Sequence, residues 1–114
     1  MITFDTYQEE VDKACFYPGA NTGSLEAVIY GVVGLNGEAG EVSEKVKKIW
    51  RDNDGYFDIE HKAEIIRELG DVLFYLTRIS TELGYSLERV AEINVKKFTS
   101  RKERGTLQGS GDNR

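Results

Sequence analysis

The chain has 114 residues, 39% of them hydrophobic and 31% charged, with a net charge of −5 and a sequence pI near 4.9. That length fits one domain with a modest core that association would enlarge, and the ordinary apolar content excludes a disordered chain. The acidic balance argues against binding a nucleic-acid polymer through overall charge. The chain also lacks both an apolar run of about 18 residues and a basic-then-apolar start, so neither a membrane span nor a leader is expected and a cytoplasmic protein is the simplest reading.

The patterning predicts helices throughout. A first helix runs from about Thr3 to Phe16, with Thr6 and Glu9 spaced as a capping box. Cys15 is the lone cysteine, so no intrachain disulfide is possible, and it reads as a core residue on that helix. The segment Tyr17-Pro18-Gly19 through Gly23, which holds the only proline, breaks the helix. Ser24 suits the N-cap of a long second helix ending near Arg51, and Asp52-Asn53-Asp54-Gly55 is a turn. A third helix spans about Asp58 to Leu83 with Gly84 at its C′ position, and Ser86 caps a fourth that ends near Gly105. The tail from Thr106 to Arg114 is polar and glycine-rich, a flexible appendage to a domain covering 1–105.

At 100° per residue, Leu25, Val28, Val32, Leu35, Ala39, Val42, Val46, Ile49 and Trp50 share an arc of roughly 120° on the second helix. Ile65, Ile66, Leu69, Val72, Leu73, Leu76, Ile79 and Leu83 share one of roughly 140° on the third. The expected fold is all-α, an antiparallel bundle of four to five helices completed by homo-oligomerisation.

The chemistry lies in two near-identical pentapeptides, Glu38-Ala39-Gly40-Glu41-Val42 and Glu68-Leu69-Gly70-Asp71-Val72. Each puts two carboxylates at i and i+3 on one side of its helix, the first at the edge of the apolar arc. Glu41 and Glu68 are nearly equidistant from Gly55, as are Glu38 and Asp71. An antiparallel hairpin therefore brings all four acids together. Four unpaired carboxylates repel one another, and an all-oxygen cluster suits a hard cation, Mg²⁺ or Mn²⁺. One such pair alone is more often a solvated face, here beside Lys45, Lys48 or Arg67; two matched pairs at matched levels favour a metal site. Mg²⁺ leaves room for water and phosphate oxygens, the setting of phosphoryl chemistry, in which Glu38 or Glu41 would accept the proton.

Gly31, Gly34, Gly37, Gly40 and Gly70 fall inside these helices, at roughly 1 kcal/mol each relative to Ala. Close approach of the helices is the expected compensation. On the fourth helix Asn94, Lys97, Arg101 and Arg104 share an arc of about 80°, either a phosphate-binding stripe or a solvated basic face near a helix C-terminus. His61 is the only histidine and no Glu-x-x-His pair exists, which counts against a ferritin-like di-iron bundle. Trp50 and Tyr75 are of a type that stacks on a base, although packing is the commoner use. No P-loop or Rossmann glycine pattern is present.

The segment Gly34-Leu35-Asn36-Gly37-Glu38-Ala39-Gly40-Glu41, followed by Glu68-Leu69-Gly70-Asp71-Val72-Leu73-Phe74-Tyr75, resembles the MazG-like nucleotide pyrophosphohydrolases of the all-α nucleoside triphosphate pyrophosphohydrolase superfamily. The likeness covers about Tyr7 to Arg104. It implies Mg²⁺ at Glu38, Glu41, Glu68 and Asp71 and cleavage of (deoxy)nucleoside triphosphates to monophosphate and pyrophosphate, a nucleotide-pool housekeeping activity. It also implies a homodimer or homotetramer. Asn94, Lys97 and Arg101 match an Asn-x-x-Lys-x-x-x-Arg pattern that would contact substrate phosphate. Gly37 departs from the pattern, since many relatives carry Glu there. Narrower specificities, for dUTP, dCTP or phosphoribosyl-ATP, stand as alternatives, as does a non-catalytic helical oligomerisation module.

Overall fold

Thr3 opens the first helix in the computed structural model, which describes residues 1–114. Its extended backbone (φ −113°, ψ 170°) lets its hydroxyl accept from the Thr6 amide at 3.1 Å, while Thr6 Oγ1 accepts from the Thr3 amide at 2.8 Å. The capping box is thus Thr3 with Thr6, three residues earlier than the predicted Thr6 with Glu9. Helix α1 covers Phe4–Lys13 and closes at Ala14, short of Phe16. Helices α2 (Leu25–Asp52), α3 (Ile59–Glu82) and α4 (Leu87–Glu103) start at Ser24, Asp58 and Ser86, each accepting from the amide three residues on. There are no strands. Gly55 and Gly84, at φ +80° and +79°, terminate the turns after α2 and α3 in the left-handed region that favours glycine.

The 28-residue α2 and 24-residue α3 form the antiparallel hairpin that dominates the molecule. Gly31 and Gly34 make the approach possible. A Cβ at Gly31 would lie 2.8 Å from Ile79 Cγ1, and one at Gly34 would enter the Tyr75 ring. Gly37, Gly40 and Gly70 differ: each faces open space, so close packing within the chain accounts for two of the five helix glycines.

Helix α1 packs on α3 and α4, and α4 packs on α1 and α3 but not on α2. The linker between α1 and α2 is held by a buried polar network centred on Arg78, whose side chain is wholly buried. Its guanidinium donates to Tyr17 Oη (3.0 Å), Asp12 Oδ1 (3.1 Å), Asn21 Oδ1 (2.7 Å) and Glu82 Oε1 (2.9 Å). Glu82 also accepts from the amides of Asn21 and Gly23 and from the Tyr17 hydroxyl. Every polar atom of the pair is thereby matched, as a buried ion pair requires.

The apolar arcs are only half covered. Ile49 is buried and Leu35, Val42, Ile65 and Val72 are half-buried, while Leu25, Trp50, Ile66 and Leu69 remain exposed. The accessible surface is 8197 Å² and the radius of gyration 17.0 Å. A folded monomer of this mass exposes about 6,300 Å², and a compact chain of this length has a radius of about 13 Å. The residues after α4 fold back along it in a series of turns.

Candidate metal centre

Glu38 on α2 and Glu68 and Asp71 on α3 meet across the hairpin. Their i,i+3 spacing on α3 and the antiparallel packing bring one carboxylate oxygen from each within 4.8 Å of the other two. Glu38 and Glu68 are half-buried, and Asp71 is exposed. Glu41 stands outside this trio but close enough to act on it. Burial pushes the Glu38 carboxyl above its ordinary range, and Asp71, Glu68 and Glu41 push it further.

None of the four acids is in an ion pair. Lys45 pairs with Glu64, Lys47 and Lys48 pair with Glu44, and Arg67 pairs with none of the cluster. Lys45 and Lys48 are thus paired with other acids, and Arg67 is in no ion pair. Carboxylate oxygens crowded together without a protein counter-charge are a donor set that fits a hard divalent cation.

Aromatic side chains frame the cluster. A cleft of about 290 Å³ is lined by Glu38, Asp71, Phe74 and Tyr75, with the last two rings edge-on at 5.3 Å. Burial raises the Tyr75 hydroxyl, with Tyr30, Glu38 and Asp71 adding to it; Tyr7 on α1 is likewise raised by burial and then by Asp71. Sequence patterning assigns Tyr7 no site role, and Phe74 enters only as part of the family-like segment. Tyr7 is separated from Asp71 by the rest of α1, the whole of α2 and half of α3, and no periodicity links them; only the packing of α1 on α3 does. Trp50 is not in this cleft but lies, 80% exposed, in a separate apolar cavity with Val46, Ile49, Tyr56, Phe57 and Ile65.

The basic stripe is elsewhere within one chain. Lys97 Nζ is 3.0 Å from Asp112 Oδ1, and Arg101 Nη2 donates to the Asp112 carbonyl at 3.0 Å. Asn94 is exposed. Because α4 leaves the Gly84 turn to pack on α1 and α3, it does not approach the acids of α2.

The family model for the MazG nucleotide pyrophosphohydrolase domain matches residues 32–106, which include both acid pairs and the stripe on α4. The chain is 45% identical over 111 residues to "Gene 37 protein" of Mycobacterium phage L5, covering 96% of this chain and 97% of that protein. No solved structure gives a significant match.

Proposed function

The chain belongs to the MazG nucleotide pyrophosphohydrolase domain family, and from that membership we propose that it hydrolyses (deoxy)nucleoside triphosphates to monophosphate and pyrophosphate with Mg²⁺. The observation that carries this reading is the meeting of Glu38, Glu68 and Asp71 within 4.8 Å with no cation paired to them. Enzymes of this family generally depend on divalent metal.

In the proposed site Glu38, Glu41, Glu68 and Asp71 hold the ion, with Mn²⁺ as the alternative. A bound Mg²⁺ would supply Lewis acidity toward phosphate oxygens and lower the pKa of an attacking water. The chain's own residues do the rest. Glu38 or Glu41 takes the proton from the water. Phe74 and Tyr75 wall the cleft on one side and limit solvent around the acids. Asn94, Lys97 and Arg101 are proposed to hold substrate phosphate. Within one chain α4 makes no contact with α2, and a stripe supplied by a second copy would complete the site, so the reading includes a homodimer or homotetramer in a cytoplasmic setting. The catalytic unit is residues 1–105, with 106–114 an appendage.

The test is product analysis over a panel of ribo- and deoxynucleoside triphosphates with Mg²⁺ or with EDTA. Metal-dependent formation of monophosphate with equimolar pyrophosphate is expected for at least one nucleotide. Formation of diphosphate with phosphate, or no turnover across the panel, would overturn the reading.

A further inference from the structure

The segment after α4 is a built loop. Gly105, Gly109 and Gly111 all have positive φ (+70°, +115° and +86°), so its turns rest on glycine at each reversal. The Thr106 amide donates to the Arg101 carbonyl at 2.8 Å. Arg114 closes the loop, donating to the carbonyls of Thr106 (3.1 Å), Leu107 (3.1 Å) and Gly111 (2.6 Å), and its own carbonyl accepts from Arg104.

This loop delivers an anion to the two cations of α4. Asp112 Oδ1 lies 3.0 Å from Lys97 Nζ and 3.4 Å from Arg101 Nη2. We propose that residues 106–114 are an intramolecular plug for the anion seat formed by Lys97 and Arg101, in which the Asp112 carboxylate stands where a phosphoryl group would sit and is displaced by it. The proposal rests on the reading of that stripe as a phosphate contact, and adds its regulation.

Three further observations fit a plug rather than a permanent brace. Asp112 is held below the ordinary carboxylate range by its hydrogen bond from Lys97 and then by Arg101, so it is charged and competes as an anion at neutral pH. The Asp112 and Lys97 side chains are 84% and 43% exposed, so that pair is solvent-screened and reversible, whereas Arg101 is largely buried. Thr106 Oγ1, at the start of the loop, is buried without a hydrogen-bond partner, a cost that ends when the segment lifts. A phosphoryl group offers more charge and more acceptor oxygens to the same two cations than one carboxylate does.

The experiment uses inorganic pyrophosphate in EDTA, so that neither metal nor turnover enters, and the full chain throughout. Titration calorimetry compares the unmodified protein with Asp112→Asn and with Asp112→Asn carrying Lys97→Ala. Hydrogen exchange follows the amides of 106–114 with and without pyrophosphate. Asp112→Asn should bind up to about five-fold more tightly, the factor that a surface ion pair can hold back. Adding Lys97→Ala should abolish that gain, and pyrophosphate should speed exchange across the loop of the unmodified protein. The positions substituted are exposed, so the helices stay folded. Unchanged affinity in Asp112→Asn, a gain that survives Lys97→Ala, no pyrophosphate binding to any of the three proteins, or exchange indifferent to pyrophosphate would each overturn the plug. Loss of nucleotide turnover in the panel above would instead overturn the function, leaving these binding and exchange results to stand or fall alone.

Discussion

Glu38 occupies the position where the other acids converge, and its environment disfavours charge. Burial and three neighbouring carboxylates raise its pKa. For such a group the folded state binds the proton more tightly than the unfolded one. Its contribution is therefore favourable below the ordinary carboxylate pKa and is lost as pH rises through the folded value, so at neutral pH the ionised group destabilises the metal-free fold. Glu38→Gln should accordingly raise the melting temperature in EDTA and shrink the rise that millimolar Mg²⁺ produces in the unmodified protein. A lower melting temperature in EDTA, or an undiminished Mg²⁺ effect, would contradict the electrostatic account; scanning calorimetry reads both. The acids themselves were legible in the sequence because i,i+3 spacing is local and the hairpin maps equal distances from Gly55 onto equal levels. Glu41 was expected level with Glu68, yet the 4.8 Å trio is Glu38, Glu68 and Asp71; residue spacing gives height along a helix but not the reach of a side chain. Tyr7 was illegible because tertiary packing alone places it.

At the scale of elements, the helix starts were readable from their caps, and the one displaced box has a plain cause. Thr3 and Thr6 are both competent caps, and the extended backbone at Thr3 decides between them. Arg78 and Glu82 escaped the sequence analysis, because an i,i+4 ion pair on a surface is worth only about 0.3–0.5 kcal/mol and gives no sign of burial. The pair's burial, and its hold on the Tyr17–Gly23 linker, follow from where that linker crosses α3. Arg78→Met should cost about 3–5 kcal/mol, because Glu82 is left buried without its cation. Burial acts to raise the Glu82 carboxyl, but the Asn21 and Gly23 amides, Tyr17 and Arg78 outweigh it and hold the group below its ordinary range. The stability it confers is complete above the ordinary carboxylate pKa and is lost as pH falls through the folded value. Thermal unfolding followed from neutral to acid pH should therefore lose stability less steeply in Glu82→Gln than in the unmodified protein, although the variant starts lower. Parallel acid profiles would show that Glu82 is not ionised in the fold.

At the scale of the molecule, the wide apolar arcs and their incomplete cover were both legible, while the course of α4 was not, because it is set by the Gly84 turn and by contacts with α1. An accessible surface of 8197 Å², well above the about 6,300 Å² of a folded monomer this size, leaves much of both hairpin faces open. A Cβ at Gly37, Gly40 or Gly70 would likewise meet nothing within 4 Å. A second copy laid along α2 and α3 would cover those arcs and bring an α4 stripe toward the acids. Sedimentation at micromolar concentration should give at least twice the 12.9 kDa chain mass, with an interface of the obligate class, about 2,000 Å² or more. A 12.9 kDa species under those conditions would contradict it.

If the carboxylates between α2 and α3 are the metal-holding active site, Mg²⁺-dependent pyrophosphate release must collapse in Glu68→Gln. The substitution keeps side-chain size and helix propensity while removing one charge from the trio. Turnover of the best nucleotide should fall by at least about 10²-fold, the scale of losing a main catalytic group, while the melting temperature in EDTA holds or rises as repulsion is relieved. Near-normal turnover by a folded Glu68→Gln protein would contradict the assignment.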